Sequence, residues 1–189
     1  MAIPVEPSKV RLFIGVIHSC NGVYMEVINL LQKLFGEIIS VYGPEEFNHT
    51  SYYNKEMGTG LKRSILVFRE LIDRGRLAEI KLKTNKIEKD FSDELANDKK
   101  IQRKINLDPG MIALENMILA SCKGFAHRIY LSGGVYGDLT LIYRGNSYQT
   151  LPWTYPDYAQ EKTIAFLNSE RKKYKEEIGV KILNPEVFK

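Results

Sequence analysis

Between Ile105 and Tyr130 the chain reads INLDPGMIALENMILASCKGFAHRIY, and this stretch limits the fold more than any other. From Met111 to Ala120 it is apolar almost throughout, too continuous for an element with one wet face, so it is expected to be buried nearly all round. Periodicity alone does not choose between helix and strand there. Just before it, Asp108-Pro109-Gly110 combines an acceptor side chain, a fixed φ and a residue tolerant of positive φ. That triplet predicts a turn or a helix start, with Asp108 as N-cap and Pro109 as the first helical residue. Just after the apolar run, Lys123, His127 and Arg128 set basic groups on a short glycine-containing loop, where sites are often built.

The flanks supply an order of elements. Residues 1–9 contain Pro4 and Pro7 without any period and read as an extended arm. Val10–His18 (VRLFIGVIH) reads as a buried strand, and Val23, Val27, Leu30, Leu31 and Leu34 recur at helical spacing up to Gly36. Glu37–Tyr42 is a short strand that Gly43-Pro44 should end. From Pro44 to Gly60 no period is sustained, and a loop of that length points to service at a site. Leu61–Leu71 is a third strand, Leu77, Ile80, Thr84, Ile87, Phe91 and Leu95 mark the clearest helix, and Ile101–Leu107 is a fourth strand after a charged loop at Asn97–Lys100. His127–Leu131, Val135–Tyr143 and Tyr148–Leu151 form a meander, turned at Ser132-Gly133-Gly134 and Gly145-Asn146. Asp157 is placed to cap a last helix carried by Ile164, Leu167, Tyr174 and Ile178. The expectation is an α+β domain over residues 10–179, with a ferredoxin-like βαββαβ core extended by a β-meander and a C-terminal helix, followed by a tail at 180–189.

A chain of 189 residues with 44% hydrophobic content has enough apolar material for one sizeable core. No run approaches the roughly 20 apolar residues of a membrane helix, and MAIPVEPSKV lacks the marks of a leader, so a cytoplasmic protein with no membrane association is expected. Cys20 and Cys122 lie far apart with no CxxC, and His18, His49 and His127 show no HxxxH spacing, so neither a metal site nor a disulfide framework is indicated. No motif identifies a cofactor. The net charge of +4 is mild beside that of dedicated nucleic-acid binders.

One enzyme reading gathers Asp108, Lys123, His127, Arg128, Arg144 and Asp157 around a single cleft, with cations for a phosphate or carboxylate and His127 or Asp108 for proton transfer. Its obstacle is geometric: adjacent residues of one strand face opposite ways, which would separate His127 from Arg128. Glu56, with Tyr52, Tyr53 and Lys55 on the long loop, suits a lid over that cleft or a plain surface loop. In the PWTYPDY string, Trp153 and Tyr155 suit stacking on a base or sugar, although aromatics between prolines also pin connections to a core. On the clearest helix, Arg76, Lys81, Lys83 and Lys86 precede Glu88, Asp90, Asp93 and Glu94, against the sense of the helix dipole. Either Lys81 and its neighbours draw an anion to that end, or the charges are a solvated face.

Several strings in combination resemble one family: TSYYNKEMGTGLKR (Thr50–Arg63), LAEIKLKTN (Leu77–Asn85), NLDPG (Asn106–Gly110), LASCKGFAHRIYL (Leu119–Leu131), LTLIYR (Leu139–Arg144) and LPWTYPDY (Leu151–Tyr158). Over about residues 10 to 175 the chain is similar to the family catalogued as domain of unknown function 4416. That resemblance implies no activity, cofactor or catalytic residue. A GTP-binding label sometimes attached to its members finds no GxxxxGK[ST] here, since GGVYGDLT (Gly133–Thr140) lacks the lysine. The functional expectation is therefore a protein that binds an anionic small ligand, phosphorylated or nucleotide-like, with action upon it left open. The alternatives are an RNA-binding module and a non-enzymatic protein-interaction or scaffold domain.

Overall fold

The computed structural model describes residues 3–19, 21–94 and 101–179. In chain order it runs β1 (Val10–His18), α1 (Asn21–Phe35), β2 (Ile38–Glu46), α2 (Asn54–Met57), β3 (Lys62–Ile72), a 3₁₀ turn at Arg74–Arg76, α3 (Leu77–Asp90) and β4 (Asp93–Glu94). The second half holds β5 (Ile101–Gln102), β6 (Ile105–Ile112), β7 (Asn116–Ser121), β8 (Arg128–Ser132), β9 (Val135–Arg144), β10 (Ser147–Thr150) and α4 (Glu161–Glu177). The fold is α+β, built on an antiparallel 8-stranded sheet in the order β10-β9-β7-β6-β1-β3-β2, with β8 paired to β9 and β4 to β5 in a separate ribbon.

β1 is buried at every residue because it has a strand on each side and a core on each face. Alternation sends Val10, Leu12, Ile14 and Val16 toward α1 and α3, where they pack with Leu31, Phe68, Leu77 and Ile80. Phe13 points the other way, into a second core with Val67, Ile112, Tyr148, Tyr158 and Leu167 of α4. The same two-sided burial settles the nature of Met111–Ala120. It is a hairpin between central strands, closed where the Ala113 amide donates to the Asn116 carbonyl at 2.9 Å.

Several local expectations change. Asp108-Pro109-Gly110 is neither a turn nor a helix start but the interior of β6, opposite Gly15, Ile14 and Phe13 of β1. Pairing to β7 begins only at Gly110, so the N–H that Pro109 lacks leaves no gap in a ladder on that side. Gly110 answers a close approach: a Cβ there would stand 2.6 Å from Phe13 Cε1 and 2.7 Å from the Ile118 carbonyl oxygen. β2 does not stop at Gly43-Pro44 either. It runs on to Glu46, its register against β3 slipping between Tyr42 and Glu45, which an edge strand tolerates because no further neighbour needs the missing donor.

The fourth strand expected at Ile101–Leu107 divides into β5 and the start of β6. The clearest helix ends at Asp90, and Phe91 beyond it still packs against the first core; Leu95 and Asn97–Lys100 lie outside the described residues. The meander expected after residue 127 enlarges the main sheet as β8, β9 and β10. Asp157 does not cap α4, whose N-cap residue Gln160 makes no side-chain capping bond; the Asp157 carboxylate is held by Arg63 instead. Residues 3–9 are exposed and carry neither helix nor strand, and the tail at 180–189 is outside the described residues. Among the described residues no helix is long and apolar enough to cross a membrane.

Candidate functional site

The sheet forks. Residues 105–109 of β6 pair with β1 alone, Ala120 and Ser121 of β7 pair with β9 alone, and the two strands meet only over Gly110–Ile112. A cleft of about 640 Å³ fills the opening, roofed by the loop that follows β2 and walled by Tyr155–Tyr158. That size suits a small organic molecule.

Gly15 lies beneath two of the lining side chains, Arg63 and Tyr158. As the one glycine in an apolar central strand it marks a close approach: a Cβ at that position would be 2.8 Å from Arg63 Nη2 and 2.9 Å from the Tyr158 hydroxyl. Both side chains line the cleft and are almost fully buried, Arg63 at 8% exposure and Tyr158 at 2%. The guanidinium carbon sits 4.3 Å from the centroid of the Tyr158 ring, and Arg63 Nη1 is bound to Asp157. Among the described residues neither Arg63 Nη2 nor the Tyr158 oxygen has a hydrogen-bond partner beyond the pull of the guanidinium on the phenol beside it. Burial pushes the Tyr158 phenol up to about 12 against the opposing pull of Arg63, so at neutral pH it is a proton donor.

On the β6 side a polar network crosses the fork. Lys81 of α3, itself buried, donates to the Leu107 carbonyl at 2.7 Å and lies 3.4 Å from Asp108 Oδ1 and 3.9 Å from Glu88. Asn106 donates to Asp108 Oδ2 at 2.6 Å and accepts from Arg103, which also binds Glu88 at 2.9 Å and Glu56 at 3.1 Å. Burial raises the Glu88 pKa, although Lys81, Arg103 and the Leu107 amide oppose it. Its partners hold Arg103 firmly charged, above its usual value in spite of desolvation.

On the β9 side Asp138, 1% exposed, accepts from Arg128 Nε at 2.8 Å and lies 3.4 Å from His127 Nε2. His127 and Arg128 do not share one strand, because β8 starts at Arg128 and His127 belongs to the preceding turn. Both reach Asp138, but Arg128 lines the cleft and His127 does not, so the expected separation holds at the cleft. Arg128 also binds Ser121, the Lys123 carbonyl and the Tyr155 hydroxyl, so its fork is occupied by the protein. Above, Lys123 Nζ donates to the Tyr52 hydroxyl at 2.6 Å, and Phe47, Tyr52 and Tyr53 contribute an aromatic roof.

Of the residues singled out from the sequence, Asp108, Lys81, Lys123, Arg128, Tyr155 and Asp157 line the cleft. Others do not. His127 stacks on Trp153 at 4.8 Å beside Asp138, a satisfied histidine, and Trp153 donates to the Leu139 carbonyl at 2.8 Å, pinning its connection to β9. Glu56 reaches the site through Arg103, and Arg144 is exposed at the far end of β9. At the start of α3, Arg76 and Lys83 pair with Glu79 on the surface, while Lys81 turns inward. Arg63, Arg103, Glu88, Asn106, Asp138 and Tyr158 line the cleft without having been singled out as its ligands. Gly15 inside VRLFIGVIH, and Asp138 inside VYGDLTLIY, were the available signals, each a residue out of keeping with the strand around it.

Among the described residues no three His, Cys, Asp or Glu side chains group as a metal-ligand set. A family model described as a domain of unknown function (DUF4416) matches residues 8–174. No curated protein and no solved structure matches the chain.

Proposed function

Because the chain belongs to the DUF4416 family, whose description carries no activity, we propose from the cleft itself that the protein binds a small anionic ligand there. One observation carries this reading: Arg63 Nη2 and the Tyr158 hydroxyl, both buried and with no partner beyond each other among the described residues, converge over Gly15. Leaving a buried donor unpaired costs about 1–3 kcal/mol, and such a cost at a cleft floor is explained if a ligand oxygen supplies the acceptor. A phosphate or carboxylate suits an arginine beside a neutral phenol. The aromatic roof of Phe47, Tyr52 and Tyr53 supports a planar or apolar remainder, as in a nucleotide-like compound.

The anion-binding capacity is narrower than the count of basic residues suggests. Lys81, Arg103 and Arg128 each already face carboxylates, and Arg63 shares its Nη1 side with Asp157, so the reading rests on Nη2 of Arg63, with Lys123 at the roof as another basic group of the cleft. The RNA alternative has less support, since both faces of the central strands are covered. The protein-interaction alternative would use the edge of β8, where Ile129, Tyr130 and Leu131 are exposed. Within the same reading the β1-α1-β2-β3-α3-β6 half is a ferredoxin-like unit, supported by its strand order β6-β1-β3-β2. A cytoplasmic location is part of it, supported by the exposed free thiol of Cys122.

The test is thermal denaturation against inorganic phosphate, nucleoside monophosphates, sugar phosphates and short carboxylates. A seated anion at one hundred times its Kd should raise Tm by about 5–10 °C. Arg63→Met should abolish that rise. Tyr158→Phe should weaken it while leaving the free protein as stable as the parent or more so, because the hydroxyl removed has no partner beyond Arg63 to lose. If millimolar anions of all these classes leave Tm unmoved, the reading fails.

A further inference from the structure

The anion seat has a carboxylate beside it. Asp108 stands directly across the β1–β6 ladder from Gly15, the residue over which Arg63 and Tyr158 converge. Directly opposed residues of antiparallel strands have Cα atoms about 4.5–5.5 Å apart, so the carboxylate and the seat share one small part of the cleft. The surrounding phenols register its charge: Asp108 adds to the upward shifts that burial gives Tyr53, Tyr155 and Tyr158. Asn106 and Lys81 take up part of its accepting capacity, at 2.6 and 3.4 Å. With 29% of the side chain exposed, lone pairs remain for the contents of the cleft.

A bare anion on Arg63 and Tyr158 would therefore stand in the same part of the cleft as the Asp108 carboxylate, and like charges brought close together repel. A hydroxyl or ammonium beside the ligand's anionic group puts a donor between the two and turns the repulsion into a hydrogen bond. Lys81 does not do this for the ligand, because its ammonium is already spent on the Leu107 carbonyl and on the β6 side of Asp108.

Resting on the anion reading of the same cleft, we infer that the ligand is a hydroxylated or amino-bearing anion: its phosphate or carboxylate meets Arg63 and Tyr158 while a nearby hydroxyl or ammonium donates to Asp108. The seat reads the charge and Asp108 reads the neighbouring donor. Removing that donor leaves the carboxylate facing the anion with no donor between them, so selectivity comes from a penalty on the wrong ligand as much as from a bond to the right one.

The experiment is titration calorimetry on the full 189-residue chain with matched probes, glycerol 3-phosphate against propyl phosphate and lactate against propionate. In at least one pair the hydroxylated member should bind about 10-fold tighter or more. Asp108→Asn should erase most of that ratio while leaving propyl phosphate or propionate bound as well as before, or better. Equal binding of both members to the parent protein overturns the inference without needing any variant to fold. So does an Asp108→Asn protein that loses affinity for both members alike. If neither member of either pair binds, the anion seat itself is wrong, a different result from binding without preference.

Discussion

The ring of Phe13 lies against Gly110 so closely that a single methyl added at Gly110 would meet Phe13 Cε1 at 2.6 Å. Phe13 is wholly buried, and the Ile118 carbonyl oxygen closes the other side at 2.7 Å. Gly110→Ala should thus destabilise by about 2–3 kcal/mol through overpacking, a Tm loss of roughly 5–10 °C. Phe13→Leu in the same chain should restore part of that loss, because the ring yields and the backbone carbonyl does not. Urea midpoints of both single variants and the double variant measure the coupling, and strict additivity would mean that the ring is not what Gly110 accommodates.

The ion pair of Arg63 with Asp157 joins β3 to the segment before α4, with both side chains only 9% exposed. Asp157→Ala leaves a buried guanidinium without its counter-charge, and a cost of about 3–5 kcal/mol is expected. The double variant Arg63→Met, Asp157→Leu removes both charges and should be more stable than Asp157→Ala alone. Chemical denaturation decides it; a double variant no better than the single one would show that the pair does more than neutralise itself.

Tyr158 predicts an alkaline limit. Its folded pKa of about 12 lies above the ordinary 10.0, so the native state holds this proton where the unfolded chain releases it. Because burial disfavours the ionised phenol, stability is at its full value below pH 10 and falls, by up to about 2–3 kcal/mol, as pH rises from 10 through 12. Tyr53, Tyr148 and Tyr155 are shifted in the same direction by burial and steepen the fall. Stability of the parent and of Tyr158→Phe, followed from pH 8 to 11.5, should diverge above pH 10 with the shallower slope in the variant. Parallel curves would refute the assignment.

The loop after β2 is latched by Lys123 to Tyr52, residues 71 positions apart. Tyr52→Phe removes the acceptor but keeps the ring over which the ammonium sits at 4.3 Å, whereas Lys123→Met removes both interactions. Limited proteolysis within Asn48–Gly60 should therefore quicken more in Lys123→Met than in Tyr52→Phe, and equal cleavage of all three proteins would mean that the latch does not hold the loop.

Local patterns in the sequence were enough for the elements whose apolar spacing has one reading, and for the burial, though not the type, of the run after Gly110. VRLFIGVIH is β1 to the residue, the helical recurrence from Val23 to Leu34 is α1, and the apolar run after Gly110 is buried on both faces. Asp108-Pro109-Gly110 was misleading because those residues are suited to a turn by their own conformational preferences, while β1 on one side and the ring of Phe13 above make the same residues fit a strand. Which side chains meet in the cleft was decided by tertiary structure alone. Arg63, Asp108 and Tyr158 are distant in sequence, and they come together because β3 and β6 flank the same central strand and the segment before α4 folds across Gly15. A chain writes its periods locally, but the convergence of charges depends on strand register, and register is set by which apolar faces are buried against one another.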